Sequence, residues 1–122
     1  MDISFYQQQQ YPDPPCWALV ALAYQRELGR GVDDYKTINT SIRAIATAFR
    51  LALYKSPDGF EQIAGPQDLC IVLMGKTARL GMHHAGVYYQ GSVLHALAGG
   101  VYFQDMASLR DNYALMEFWA AT

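Results

Sequence analysis

The chain of 122 residues is long enough for about one domain. Hydrophobic residues make up 52% of it and charged residues 16%, against about 25% charged residues in an average soluble protein, so the composition excludes a disordered main body. The formal net charge is −2 and the basic residues are scattered, which excludes the clustered positive charge that nucleic-acid binding requires.

The N-terminal residues 1–10, MDISFYQQQQ, contain no basic region followed by an apolar stretch, so we predict no secretory signal. The glutamines at 7–10 favour a solvated polar arm over residues 1–10, ahead of a single domain at 11–122. The longest apolar run, 16–24, is much shorter than the about 20 residues of a membrane-spanning helix, so we expect no membrane insertion.

A first helix is predicted from about residue 15 to Gly29. Asp13 can cap its free N–H groups, and proline is tolerated in a first turn. The residues after this turn are apolar on nearly every face, which is typical of a buried helix, and Gly29 can adopt a left-handed C-cap. One face carries Cys16, Leu19, Val20 and Ala23. The cysteine of the first turn therefore points toward the core.

The second half of the chain changes from helical to strand-like patterning. Apolar residues at 38, 42, 45, 49 and 53 predict a second helix at about 41–55, which ends at turn residues 56–59. Strands are predicted at 68–74, 84–89, 92–97, 101–103 and 114–120, with a short polar helix or turn at 108–112. Helices followed by antiparallel strands indicate an α+β fold.

Two histidines are predicted to meet on one face of a hairpin. Gln90-Gly91 is typical of a two-residue turn, so we expect the strands on either side to pair. Because side chains alternate along a strand, His84 and His95 become diagonal neighbours on one face, roughly 7–8 Å apart between backbone positions. Gly86 lies between them and leaves room, whereas His83 points to the opposite face.

A cysteine at a helix start and two paired imidazoles are the components of a nucleophilic site. A helix N-terminus and a nearby imidazolium both lower a thiol pKa, and the thiolate is the reactive form. The predicted roles are Cys16 as nucleophile, His84 as general base and acid, and His95 as the group that fixes the imidazole of His84. The backbone N–H of Cys16 is a candidate oxyanion donor. This chemistry needs no metal or organic cofactor.

The same residues belong to four short motifs that succeed one another along the chain. They are Cys16-Trp17-x-Leu19-Val20 with Tyr24-x-x-Glu27-Leu28-Gly29, then Asp68-Leu69, then His84-Ala85-Gly86-Val87-Tyr88, and then Leu94-His95-Ala96. This series resembles the NlpC-type papain-like cysteine peptidases, and most closely their branch in bacteriophage tails. The resemblance implies a single papain-like α+β domain at 11–122, with the cysteine helix packed on an antiparallel sheet.

The resemblance also implies a function and a location. Members of this family cleave peptide bonds of the bacterial cell wall, which implies peptidoglycan stem peptides as substrate and the γ-D-glutamyl to diaminopimelate linkage as the bond cleaved. The catalytic roles fall on Cys16, His84 and His95. The tail branch implies other tail or baseplate proteins as partners. The expected location is the virion, or the bacterial cytoplasm during assembly, with action in the periplasm or cell wall.

Several alternatives remain open at this level. Tyr11 could supply a hydroxyl near the nucleophile, as an upstream tyrosine does in relatives, or be ordinary edge packing. Pro15 and Trp17-Ala18 replace the Asp and Ser-Gly that often flank the family's cysteine, and this favours an inactive structural tail protein of the same fold. Thiol acyl transfer is a third possibility. Zinc binding is disfavoured because metal-ligand spacing is missing, and Cys70 is expected to be a small core residue.

Overall fold

The computed structural model describes residues 1–12, 15–32 and 59–122. Within these ranges the protein has an α+β architecture with one six-stranded antiparallel sheet, which confirms the predicted α+β class. The helix predicted at 41–55, most of the turn predicted at 56–59 and the cap predicted at Asp13 lie outside the described residues.

Six strands form the sheet. They are β1 (Phe60–Ile63), β2 (Ile71–Gly75), β3 (His84–Tyr89), β4 (Ser92–Leu97), β5 (Gly100–Asp105) and β6 (Leu115–Ala121). Their order across the sheet is β1-β6-β2-β3-β4-β5, and each neighbouring pair is antiparallel. The strands predicted at 84–89 and 92–97 are confirmed residue for residue. The sheet therefore places the two strands that carry His84 and His95 side by side.

The other strands differ from their predicted bounds for local reasons. The strand predicted at 68–74 begins only at Ile71, because Leu69 adopts a turn conformation with a φ of 68°. The strand predicted at 101–103 is longer, because β5 pairs along the whole of β4. Strand β1 was not predicted at all. Its two central residues, Glu61 and Gln62, are exposed at the sheet edge, so its sequence lacks the apolar pattern of a strand.

Helix α2 (Pro15–Leu28) packs against β3 and β4 and covers one face of the sheet. Its buried residues are Cys16, Trp17, Leu19, Val20, Ala23 and Tyr24. The predicted left-handed C-cap is confirmed, since Gly29 has a φ of 63° and its N–H donates to the carbonyl of Gln25 at 3.1 Å. None of the described helices is long and apolar enough to cross a membrane.

The segment expected as a polar arm packs onto the domain instead. Helix α1 (Ile3–Gln7) buries Tyr6 completely, and the Tyr6 hydroxyl donates to the Glu27 carboxylate of α2 at 2.6 Å. The Arg26 guanidinium lies 3.6 Å from the centre of the Phe5 ring. Aromatic residues just before the glutamines supply the apolar surface that holds this segment down. The glutamines at 7, 8 and 10 are exposed, as expected of a solvated run.

A shorter helix contributes to the opposite face of the sheet. Helix α3 (Met106–Asn112) begins after Asp105, whose carboxylate accepts the Ser108 N–H at 3.3 Å as an N-cap. This confirms the short helix predicted near 108–112. Leu109 of α3 is fully buried. The buried cluster that it joins contains Cys70, Val72, Met74, Val93, Leu109, Tyr113 and Phe118. Cys70 is thus a core residue of that face.

Gly86 lies at a close approach between β3 and β4. A Cβ at this position would lie 2.6 Å from Val93 Cγ1, 2.7 Å from the Leu94 carbonyl oxygen and 3.1 Å from His95 Cβ. The carbonyl is backbone and cannot rotate away. The two strands can therefore pair at this distance only because residue 86 has no side chain.

We predict that Gly86→Ala lowers the free energy of unfolding by about 1–3 kcal/mol, the usual cost of overpacking a core. Urea denaturation monitored by tryptophan fluorescence would measure it. The matched control is Gly65→Ala, where a Cβ meets nothing within 4 Å, and this variant should stay within about 0.5 kcal/mol of wild type. Equal stability of the two variants would contradict the close approach of β3 and β4.

Candidate active site

The turn between β3 and β4 determines which side chains face each other. Gln90 and Gly91 have φ values of 48° and 90°, the positive pair that a type I′ hairpin turn requires. The resulting register pairs Tyr89 with Ser92 and Val87 with Leu94, as predicted. Side chains alternate from this fixed point, so the residues at 84 and 95 extend from the same face of the sheet.

The imidazoles of His84 and His95 are in direct contact. His84 Nε2 lies 2.8 Å from His95 Nδ1, with the rings nearly perpendicular at an interplanar angle of 79°. Both side chains are buried, with exposed fractions of 6% for His84 and 1% for His95. The predicted pairing of the two histidines is therefore present as a hydrogen bond inside the protein.

Two further side chains contact this pair and were not predicted. Gln104 of β5 places its Oε1 at 2.5 Å from His95 Nε2. The ring of Tyr113, which comes directly after α3, stacks on His84 with 5.5 Å between centroids and an angle of 15°. The register of β4 with β5 could have identified Gln104, because Tyr102 lies opposite His95 and Gln104 is its next neighbour on that face. No local pattern indicates Tyr113.

Cys16 lies in the first turn of α2, close to the start of β3. Its thiol is near the backbone N–H groups of Ala85, Trp17 and Cys16 itself, all of which lower its pKa. Ala85 comes directly after His84, and Tyr113, which stacks on His84, has its pKa raised by burial and, to a smaller extent, by the nearby Cys16. The thiol thus lies near the start of β3, but α2 packs on the sheet face opposite to the one that carries His84 and His95. No hydrogen bond joins the Cys16 thiol to either imidazole, all three of which are described.

Burial controls the protonation of these groups. It raises the pKa of the Cys16 thiol to about 11, which outweighs the nearby N–H groups. The N–H groups at the helix start do lower this pKa, as expected, but the net change is upward because Cys16 is only 6% exposed. Burial, with smaller effects of His95 and His83, lowers the pKa of His84 to about 3. Burial also lowers the pKa of His95. At neutral pH the site holds an uncharged thiol and two uncharged imidazoles.

Tyr11 lies at the edge of a cleft beside the start of α2. Its hydroxyl donates to the Tyr6 carbonyl oxygen at 2.7 Å, and burial raises its pKa to about 12. The cleft has a volume of about 310 Å³. Its walls are Gln7, Gln9, Tyr11 and Pro15 on one side and residues 96–101 on the other. Pro15 precedes Cys16 in the chain, but Cys16, His84 and His95 are not among the residues that line this cleft. The Tyr11 proton is already engaged by the backbone.

His83 is separate from the buried pair. Its Nε2 accepts the backbone N–H of Lys76 at 3.2 Å, and its side chain is partly exposed. Within the described ranges no group of three or more His, Cys, Asp or Glu residues is arranged to hold a metal ion. Cys16, His84 and His95 are the residues of this arrangement that can take part in proton transfer. A neutral imidazole can accept a proton from a thiol and return it later.

The buried neutral histidine predicts a pH dependence of stability. The pKa of His84 is lowered from 6.5 to about 3, so the unfolded chain binds a proton that the folded chain does not. Stability is therefore fully present above about pH 6.5 and is lost as the pH falls toward 3. The free energy of unfolding of the wild-type protein should therefore rise with pH between about pH 4.5 and pH 6. We expect His84→Gln to make this rise less steep by about 1.4 kcal/mol per pH unit.

Urea denaturation at a series of pH values would measure this slope. His83→Gln is the control, because it removes the neighbouring and more exposed histidine and should keep most of the wild-type slope. A wild-type slope in His84→Gln would show that the residue is not held neutral inside the protein.

No family model, no curated protein and no solved structure matches the chain.

Proposed function

We propose that this protein is a papain-like cysteine peptidase of the NlpC type, with Cys16 as nucleophile, His84 as general base and acid, and His95 as the group that orients His84. The observation that carries the proposal is the buried contact of 2.8 Å between His84 Nε2 and His95 Nδ1. A polar pair costs free energy to bury, and the Cys16 thiol lies near the backbone N–H of Ala85, the residue that follows His84.

Because the Cys16 thiol and the His84 imidazole both start uncharged, the reaction begins with a proton transfer between them. The Cys16 thiol gives its proton to His84 as the sulfur attacks the carbonyl carbon of the peptide bond. The backbone N–H groups at the start of α2 stabilise the developing oxyanion. His84 then protonates the leaving amine, which leaves a thioester on Cys16. Water attacks the thioester after passing a proton to His84, and His84 returns that proton to the sulfur as the carboxylic acid departs.

The proposed substrate is the stem peptide of peptidoglycan, cleaved at the γ-D-glutamyl to diaminopimelate linkage, and the proposed setting is a phage tail. The family resemblance supports both. The cleft of about 310 Å³ beside Pro15 supports an extended substrate, because residues 96–100 on its wall are small except Leu97. Leu97 and Tyr102 are 42% and 44% exposed, and they offer apolar contact close to His95.

Digestion of purified bacterial sacculi tests the activity. We expect the wild-type protein to release soluble muropeptides, and Cys16→Ala to lose release by at least about 10³-fold, as removal of a nucleophile does. Cys70→Ala is the matched control, because Cys70 is also a buried free cysteine but lies in the cluster around Leu109. Mass spectrometry of the products identifies the bond. Equal release by both variants would refute Cys16 as the nucleophile.

A second candidate is a structural tail protein that keeps the fold without turnover. The observation that favours it is the burial of Cys16, which raises the thiol pKa to about 11 and leaves the thiol without a hydrogen bond to His84. A buried structural cysteine is inert for the same reason. The two candidates differ in whether His84 activates the sulfur.

Alkylation with iodoacetamide at neutral pH separates the two candidates. If His84 acts as base, Cys16 should react faster than Cys70, which is 1% exposed, and His84→Gln should remove the difference. Peptide mass spectrometry would measure both rates in the same sample. Equal rates for the two thiols in the wild-type protein would favour the structural role.

A further inference from the structure

Gln104 contacts Nε2 of His95, whereas His84 contacts Nδ1 of the same ring. Gln104 can therefore determine which ring nitrogen of each histidine carries a hydrogen. We infer that Gln104 is a positioning residue that holds a proton on Nε2 of both histidines and so leaves Nδ1 of His84 open as the base. This role rests on the proposed function, since a base is meaningful only if Cys16 reacts. The proton arrangement itself can be observed without any activity.

The hydrogen positions are determined by the donors and acceptors, taken in order from Gln104 inward. Gln104 Oε1 is a carbonyl oxygen and accepts only, so the contact of 2.5 Å requires a hydrogen on His95 Nε2. A neutral imidazole carries one hydrogen, so His95 Nδ1 must then be an acceptor. His84 Nε2, 2.8 Å away, must supply the hydrogen for that contact. The single hydrogen of neutral His84 is therefore on Nε2.

This arrangement is the one that permits base catalysis. Nδ1 is the ring nitrogen nearest the backbone, and Ala85, the next residue, has its N–H near the Cys16 thiol. With the proton on Nε2, Nδ1 of His84 has a lone pair that can accept the thiol proton. If the Gln104 amide were reversed, each hydrogen would move to the other ring nitrogen. Nδ1 of His84 would then carry a hydrogen and could not act as the base.

The chemical nature of Gln104 also fits this role. The side chain comes from β5, the third strand of the group that carries the pair, and is partly buried. It is uncharged, so its hydrogen bond, which opposes the effect of burial by raising the pKa of His95, favours a positive imidazolium less than a carboxylate would. Two hydrogen bonds thus link three neighbouring strands: Gln104 of β5 bonds to His95 of β4, and His95 bonds to His84 of β3.

Nitrogen-detected NMR of the folded, labelled full chain at neutral pH tests the proton arrangement directly. Long-range proton–nitrogen correlations distinguish the two forms of a neutral imidazole, and His83 serves as an internal reference. We expect both His84 and His95 to carry hydrogen on Nε2. Hydrogen on Nδ1 of either residue would overturn the inference, whether or not the protein digests sacculi.

Two substitutions and one control test the role of the amide. Gln104→Met keeps the side-chain size but removes the acceptor. We expect the ratio of the Nε2-H form to the Nδ1-H form of His95 to fall by about 5-fold, the equivalent of one neutral hydrogen bond. The alkylation rate of Cys16 should fall by about the same factor. Gln104→Glu keeps an acceptor and should restore the Nε2-H form. The control is Gln62→Met on strand β1, at the far edge of the sheet.

The outcomes of this comparison are distinct from the outcome of the sacculus assay. A Gln104→Met protein with unchanged histidine spectra and an unchanged Cys16 rate would overturn the role of Gln104. A wild-type protein that shows the expected spectra but releases no muropeptide would instead refute the peptidase activity and leave the proton arrangement standing.

Discussion

The register of β3 and β4 is the constraint on which the site depends. The turn at Gln90-Gly91 uses two positive φ values, and Gly86 lets the strands approach where a side chain would collide with the Leu94 carbonyl. A slip of one residue would move His95 to the face covered by α2 and separate it from His84. Local turn chemistry and one missing Cβ thus determine whether two imidazoles can share a hydrogen bond.

Burial has two opposing consequences for the same groups. It makes the contact between His84 and His95 strong, because water does not compete for their nitrogens. It also keeps the thiol and both imidazoles uncharged, since none of the described residues supplies a counter-charge that compensates for lost hydration. The proposed peptidase would therefore move a proton during the reaction rather than hold a preformed ion pair. The neutral amide of Gln104 is consistent with that mode, because it directs a hydrogen without adding charge.

The sequence allowed good prediction wherever one short segment determined the geometry. The β3–β4 hairpin, its register and the C-cap at Gly29 were predictable because Gln-Gly and helix-terminal Gly have few conformations available. Strand β1 was not, because an exposed edge strand needs no apolar pattern. Helix α1 was not predicted, because the glutamines at 7–10 suggested a solvated arm, although Tyr6 contributes to the core. The upward net change of the thiol pKa was not predicted, since the extent of burial depends on the whole assembled core.

The order of strands has a consequence for how the chain folds. Strands β1 and β2 are consecutive in sequence but are not neighbours, because β6 lies between them and pairs with both. During synthesis the meander of β2 to β5 can assemble by local hairpins, whereas β1 has no partner among the described strands until β6 has left the ribosome. The four strands that include those carrying the histidines can thus form early, and β6 then joins β1 to them.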